Sequence, residues 1–254
     1  MILSVIIPTL NEEEYIIDLL DCLADQTYKD FEVIVVDGDS EDKTRKIVSS
    51  YKKLKNLHLI NAKSKGVGMQ RNLGAKNAIT DKLIFLDADG YIEKDFIVKI
   101  TSFISNNPEV DIMTTWLEPI SNKKVDKILF FTFNQFYLDI MKRIKPQGTG
   151  AFMYIKRKVF EDLNGFNEKF SVAEDMDMCV RAHKEGYKYH LLKRPRIKTS
   201  VRRLEKLGRL RYVWIMGKNA VYMHFVGPFD KNKFTGYVMD HGGAMYKGIK
   251  KRIK

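Results

Sequence analysis

What most constrains this 254-residue chain is where its short apolar runs stop. Ser4-Val-Ile-Ile-Pro8, Phe31-Glu-Val-Ile-Val-Val36, Leu57–Ile60 and Leu83–Leu86 are β-branched or aliphatic runs at similar spacing. Between them lie helical patterns at Glu12–Leu23, Asp42–Tyr51 and Val67–Ile79, the first with Ile16, Ile17, Leu19, Leu20 and Leu23 on one side. Continuous apolar strands alternating with amphipathic helices predict βαβ units around a parallel sheet covered on both faces. Right-handed crossovers then bring the strands' C-terminal ends to one edge, where open α/β sheets bind ligands. Polar residues stand at those ends: Pro8-Thr9-Leu10-Asn11-Glu12, Asp37-Gly38-Asp39-Ser40 and Asp87-Ala88-Asp89-Gly90. Gly165-Phe166 and Ala173-Glu174-Asp175 follow later.

The second half is less regular. Val110–Leu117, Gly148–Ile155 and Tyr187–Leu192 read as strands, and Lys123–Ile144, Glu174–Lys184 and about 202–225 as helices. Charge divides the chain unevenly. Residues 1–120 hold 14 Lys/Arg against 20 Asp/Glu, whereas residues 193–254 hold 17 against 3. An acidic front and a basic end suggest metal chemistry in one place and an anionic partner in another. Two cysteines, Cys22 and Cys179, exclude a disulfide framework or a Cys-rich zinc site and fit a reducing compartment. With no signal-peptide pattern and no run of about 18–20 apolar residues, the expected setting is cytoplasmic.

Asp87 and Asp89 sit at i and i+2 after a buried run, so both can face one cation from a strand end. Carboxylate oxygens suit magnesium or manganese, which bind through one or two carboxylates plus substrate phosphates. Short acidic pairs also occur in ordinary surface turns, but a strand buried straight into two carboxylates demands a partner for them. Asp37 can accept hydrogen bonds from a base or ribose, or cap the next helix, a task that Asp39 or Ser40 could fill. Lys63-Ser-Lys-Gly-Val-Gly68-Met-Gln-Arg71-Asn72 places glycines and basic residues at a strand-to-helix turn suited to phosphate. Arg71 could equally be a solvated helix residue. Glu174 and Asp175 open a helix, whose N-terminus favours their charged form. Asp177 is close enough to compete as a base. None of His58, His183, His190, His224 and His241 pairs at metal-ligand spacing.

The string Val5-Ile-Ile-Pro-Thr-Leu-Asn-Glu12, Val35-Val-Asp37-Gly-Asp-Ser40, Phe85-Leu-Asp87-Ala-Asp89, Gly165-Phe166 and Ala173-Glu-Asp175 resembles the family 2 glycosyltransferases, over roughly residues 1–200. The resemblance implies the GT-A fold, an α/β architecture with a mostly parallel central sheet flanked by helices. Its catalytic domain would span 1–200, with a nucleotide-sugar-binding half at 1–118, an acceptor-side half at 119–200 and a basic helical C-terminal extension at 201–254. It implies a nucleotide-diphosphate-sugar donor, UDP- or GDP-linked, a Mn2+ or Mg2+ cofactor and usually inversion at the anomeric carbon. By the same resemblance Pro8, Thr9, Asn11 and Glu12 lie along the nucleotide and Asp37 meets the base. Asp87 and Asp89 face metal and ribose, Arg71 the diphosphate, and Asp175 is the general base. Where many relatives carry a histidine near the metal, this chain reads Ile197-Lys-Thr-Ser200-Val-Arg202-Arg203. Ser200 with Arg202 or Arg203 would then grip the diphosphate, unless the segment is simply a basic surface.

Ile128–Tyr137 holds five aromatics almost all round a helical wheel, which predicts burial, against protein core or against an acceptor's apolar tail. Leu207, Leu210, Trp214, Val221 and Phe225 form a helical stripe expected to pack on its own domain. Alternatively, with the Lys247–Lys254 tail, it would lie on an anionic membrane face. The acceptor is accordingly a lipid-linked sugar or polyprenyl phosphate, or a soluble saccharide. Two other readings share some of these features. A nucleic-acid binder would also be basic at one end, yet would not need acidic pairs at strand ends, where they repel phosphate. A sugar nucleotidyltransferase would carry a Gly-rich, Arg-containing loop after its first strand, which Pro8-Thr-Leu-Asn11 is not.

Overall fold

Leu3–Thr9 forms β1, followed by helix α1 (Ile16–Ala24), β2 (Phe31–Asp37), α2 (Thr44–Ser50), β3 (Leu57–Asn61), α3 (Val67–Asn77) and β4 (Lys82–Leu86). The computed structural model describes residues 2–62, 65–170 and 173–225. Every residue of β1 and β2 is buried, because each strand is covered on both faces. Leu3, Val5 and Ile7 pack with Ile16, Leu19, Leu20 and Leu23 of α1 on one side. Ile6, Ile34 and Val36 pack with Ala75 of α3 and Phe85 on the other. The fit beneath α3 is tight: a Cβ on Gly74 would lie 2.4 Å from the Ile6 Cγ2.

A two-residue strand, β5 (Gly90–Tyr91), and α4 (Phe96–Asn106) come next, neither marked by the sequence patterns. Then follow β6 (Ile112–Ile120), α5 (Lys124–Thr132), a π-helical segment (Phe133–Leu138), α6 (Asp139–Ile144), β7 (Phe152–Lys156) and α7 (Arg157–Asp162). The described chain ends with α8 (Glu174–Lys184), β8 (Tyr189–Ser200), α9 (Arg202–Leu207) and α10 (Arg209–Phe225). The strands form one sheet in the order β3-β2-β1-β4-β7-β6-β8-β5. β1, β2, β3 and β4 run parallel, with Thr9 beside Asp37 and Asp37 beside Asn61. β7 runs antiparallel to β4 and β6, and β8 parallel to β6. Thr9, Asp37, Leu86, Ile120 and Ser200 therefore end their strands on one edge, and β7 begins there at Phe152, opposite Leu86.

Several expectations for the second half are corrected. The strand placed at Gly148–Ile155 starts only at Phe152, because residues 148–150 form a tight loop beside the site. β8 runs on to Ser200, well past Leu192. The Lys123–Ile144 helix contains the π-helical segment and is not buried. Ile128, Phe131, Phe136 and Ile140 are 51–62% exposed, and only Asp126, Asn134 and Leu138 turn fully inward. The stripe expected to pack on its own domain also faces out, with Leu210 89%, Trp214 63% and Phe225 80% exposed. Lys63, Ser64 and the Gly-rich basic end, including Lys247–Lys254, lie outside the described residues.

Candidate active site

Two buried guanidinium groups organise the polar edge of the sheet. Arg71 projects from α3 with its side chain 2% exposed and is ion-paired with Glu174 at the start of α8 and, at 2.8 Å, with Asp87 after β4. The Phe166 ring covers it at 5.3 Å. Buried charge is tolerated only when paired, and these two carboxylates provide that pairing. Arg202 opens α9 and is bidentate to Glu12, at 2.7 and 2.9 Å. Its Nε stands 3.2 Å from Asp89, and the Tyr15 ring lies 4.6 Å from the guanidinium carbon. The two carboxylates of Asp87-Ala-Asp89 thus point to neighbouring arginines, one from each half of the chain.

The loop before β7 brings its backbone against this cluster. A Cβ on Gly148 would lie 2.4 Å from the Asp175 carbonyl, and one on Gly150 would lie 2.9 Å from the Asp87 Oδ2. Only glycine leaves room at both positions. The sequence marks this Gly-Thr-Gly as a turn; its contact with the acidic cluster is a tertiary fact that local pattern does not carry. Glu174 was likewise legible only as a first-turn residue, whereas it is the partner that fixes Arg71.

Asp175 stands next to that ion pair. Burial, reinforced by the Glu174 charge and opposed by Arg71, pushes its carboxyl up to about 7. The Tyr137 hydroxyl is pushed up to about 12, by burial first and then by the Asp175 charge, which sets the two groups near each other. Asp177, the competing candidate, pairs at 2.7 Å with Arg181, which also donates to the Leu163 and Gly165 carbonyls. Asp177 is therefore committed to holding α8 on the Gly165 turn. On the other side of the site, burial pushes the Glu12 carboxyl up to about 7 against the opposing pull of Arg202.

The remaining sequence candidates lie along the same edge. Pro8 is buried in β1, and Thr9 donates to Asp37 at 3.1 Å. Asp37 is wholly buried, and it also accepts from the Ser40 amide at 2.8 Å and the Ser40 hydroxyl at 2.5 Å. Its carboxylate therefore ties β2 to the following turn and does not cap the next helix, since α2 begins only at Thr44 with Lys43 at its N-cap. Asn11, at φ 56°, donates its amide to the Ser40 Oγ, and the Glu12 amide donates to Thr44. Ser200 accepts from the Arg202 amide at 3.2 Å. Arg203, the next residue of α9, is half-buried.

A divalent ion can be tested against these donors. Asp87 and Asp89 offer hard oxygen ligands with 33% and 12% of their side chains exposed. Among the described residues no three His, Cys, Asp or Glu side chains gather as a metal group. The pair fits an ion that completes its shell with substrate phosphate oxygens, and does not fit a self-contained protein cage. No helix of the described residues is long and apolar enough to cross a membrane.

The model of glycosyl transferase family 2 matches residues 4–163. Amylovoran biosynthesis glycosyltransferase AmsB of Erwinia amylovora is 34% identical over 217 residues, covering 76% of this chain and 67% of AmsB. The poly(ribitol-phosphate) β-N-acetylglucosaminyltransferase TarS of Staphylococcus aureus is 35% identical over 131 residues, covering 50% of this chain but only 23% of TarS. The crystal structure of TarS 1–349 in complex with UDP-GlcNAc superposes with TM-score 0.66 at 23% identity, covering 96% of this chain and 76% of that one. Mannosyltransferase PcManGT from Pyrobaculum calidifontis, in complex with GDP-Man and Mn2+, gives TM-score 0.66 at 22% identity, covering 85% of this chain and 60% of that one. These superpositions establish the GT-A fold.

Proposed function

This chain belongs to glycosyl transferase family 2, and from that premise we propose that it moves a sugar from a nucleotide-diphosphate donor to an acceptor hydroxyl or phosphate, with Asp175 as general base. The observation that carries this reading is the gathering of Glu12, Asp87, Asp89, Glu174 and Asp175 around two buried arginines at one sheet edge. A UDP- or GDP-linked donor suits a fold that holds UDP-GlcNAc in TarS and GDP-Man in PcManGT.

Breaking the bond to the anomeric carbon leaves negative charge on the departing diphosphate, so positive charge must be in place beforehand. Arg202 and Arg71 place guanidinium groups at this edge, each shared between two carboxylates, with Ser200 at the start of the Arg202 turn. When bound at Asp89 and Asp87, Mn2+ or Mg2+ would add Lewis-acid stabilisation of the leaving group. Pro8, Thr9, Asn11 and Glu12 line the nucleotide in this reading, Asp37 fixes the turn beneath the base through Ser40, and Arg203 adds positive charge behind Arg202. Asp175, held near neutrality, is matched to accept the acceptor's proton at ordinary pH. One carboxylate serving one direct displacement inverts the anomeric centre.

Residues 1–200 form the catalytic unit in this proposal and 201–254 the basic extension, yet Arg202 completes the donor end from the extension side. The acceptor is lipid-linked, a saccharide or phosphate on an anionic membrane face, because an apolar groove adjoins Asp175. That groove, of about 250 Å³, lies between α6 and α10 and is lined by Tyr137, Met141, Lys145, Gln147, Val221 and Phe225. Tyr137 feels the Asp175 charge, and the neighbour of Gln147, Gly148, packs on the Asp175 carbonyl. The test is a panel of UDP- and GDP-sugars with Mn2+, with and without a polyprenyl phosphate, assayed for nucleoside diphosphate release. Release that needs a sugar nucleotide and rises with the lipid acceptor is the expected result; release of pyrophosphate, or no turnover with any donor, refutes the proposal.

A further inference from the structure

The two outward helices that the sequence patterns would bury present the largest unexplained surface of the described residues. Along Lys124–Ile144, Val125, Ile128, Phe131, Phe136, Ile140 and Ile144 are 45–62% exposed and recur at three- to five-residue intervals, an apolar ridge running the length of the segment. α10 adds Leu210, Val213, Trp214, Val221 and Phe225, each 47–89% exposed. The two helices are tied to each other at one end. Arg209 at the start of α10 is bidentate to the buried Asp126 of α5, at 2.6 and 3.0 Å, and farther along Met141 and Val221 line the same apolar groove. Isolated exposed apolar residues are ordinary, but eleven on two linked helices mark an interaction face.

The surrounding charge selects the occupant. Residues 123–145 carry six Lys/Arg against Asp126 and Asp139, and both acids are ion-paired, Asp126 to Arg209 and Asp139 to Lys142. Residues 203–225 carry Arg203, Lys206, Arg209, Arg211 and Lys218 against Glu205, with Arg209 spent on Asp126, whereas Arg202 is buried on Glu12 and adds nothing to this face. A second copy of this chain docking face to face would set these cationic rims against each other. Residues 226–254 hold seven Lys/Arg against two acids, the same sign again. A cationic rim around an apolar, Trp- and Phe-bearing ridge complements an anionic bilayer interface, where aromatic side chains sit at headgroup depth and basic side chains meet lipid charge.

We propose that the ridge of Lys124–Ile144 and the outer face of α10 together dock on an anionic bilayer surface, setting the mouth of the Tyr137–Phe225 groove against the lipid. The proposal rests on the lipid-linked acceptor reading and adds the surface that would deliver it. It is tested by co-sedimentation of the full chain with vesicles of phosphatidylcholine alone or mixed with phosphatidylglycerol, at low and high salt. The comparison is with a variant carrying Phe131→Gln, Phe136→Gln and Trp214→Gln, whose side chains are exposed and make no part of the catalytic site. We expect binding to the anionic vesicles, weakened by salt, and a loss of at least about tenfold in the variant, since three large apolar side chains no longer enter the interface. Donor hydrolysis should be unchanged in the variant, which separates this outcome from failure of the glycosyltransfer reading. Absence of vesicle binding, equal binding by the variant, or conversion of a dimeric wild type to a monomeric variant would each overturn the proposal.

Discussion

The Arg71 and Arg202 clusters are built alike and placed differently. Each is a buried guanidinium between two carboxylates, one of them from the Asp87-Ala-Asp89 turn. Arg71 lies inside the sheet-and-helix core and borders Asp175, whereas Arg202 arrives from the C-terminal helices and borders Glu12. One cluster thus carries the candidate base and the other does not, although burial brings a carboxyl in each to about the same titration range. Shared electrostatics do not imply a shared task; position relative to the groove and the sheet edge separates them.

The sharpest division between the clusters should come from Asp175→Asn. Loss of a positioned base costs about 10²–10⁴-fold in rate, so transfer should fall by that amount while donor binding, followed by calorimetry, stays within about twofold. Full transfer in this variant would remove the assigned asymmetry. Arg71→Ala leaves Glu174 and Asp87 without their cation in a buried setting, which costs about 3–5 kcal/mol. At about 2–4 °C per kcal/mol for a chain of this size, thermal unfolding should drop by roughly 10 °C. Arg202→Ala should destabilise by up to the same range and in addition weaken donor binding, measured as a raised donor KM. If instead it leaves donor KM alone and lowers only kcat, the division of labour is reversed.

The smallest effect is the pH profile. Activity should fall by about tenfold per pH unit below roughly 7 as Asp175 takes up a proton. Glu12→Gln should keep that acidic limb, since the Glu12 carboxyl serves Arg202 and not the acceptor. The stability effect of Glu12 has a definite sign. Its folded-state pKa of about 7 lies above the ordinary value of 4.5, so its contribution is intact below pH 4.5 and is lost as pH rises through 7. Denaturant titrations across that window should therefore show a shallower decline in the Glu12→Gln variant.

The sheet was legible because its rule is local. Residues 5–7 and 33–36 are apolar without interruption since helices cover both sides, and Asp37 and Asp87 mark where those runs end. The acidic turns were legible for the same reason. Arg71 and Arg202 were visible as candidates, but Glu174 and the Gly148-Thr-Gly150 loop became partners only through tertiary approach. The helices of the second half misled the periodicity argument most. An apolar wheel reports that a helix must be covered, and says nothing of whether protein covers it. Phe131, Phe136 and Trp214 satisfy the pattern while facing outward.

The pairing of Glu12 with Arg202 spans 190 positions of sequence. Chains fold during synthesis from the N-terminus, at about 5–20 residues per second. Throughout the emergence of β1 to β8, Glu12 and Asp89 stand at the sheet edge with their counter-ion still unmade. A fragment ending at Ser200 would retain every strand and lack that neutralising charge, so its front turn should stay open to solvent. The growing polypeptide closes this edge of the sheet only once Arg202, beyond the last strand, has been made.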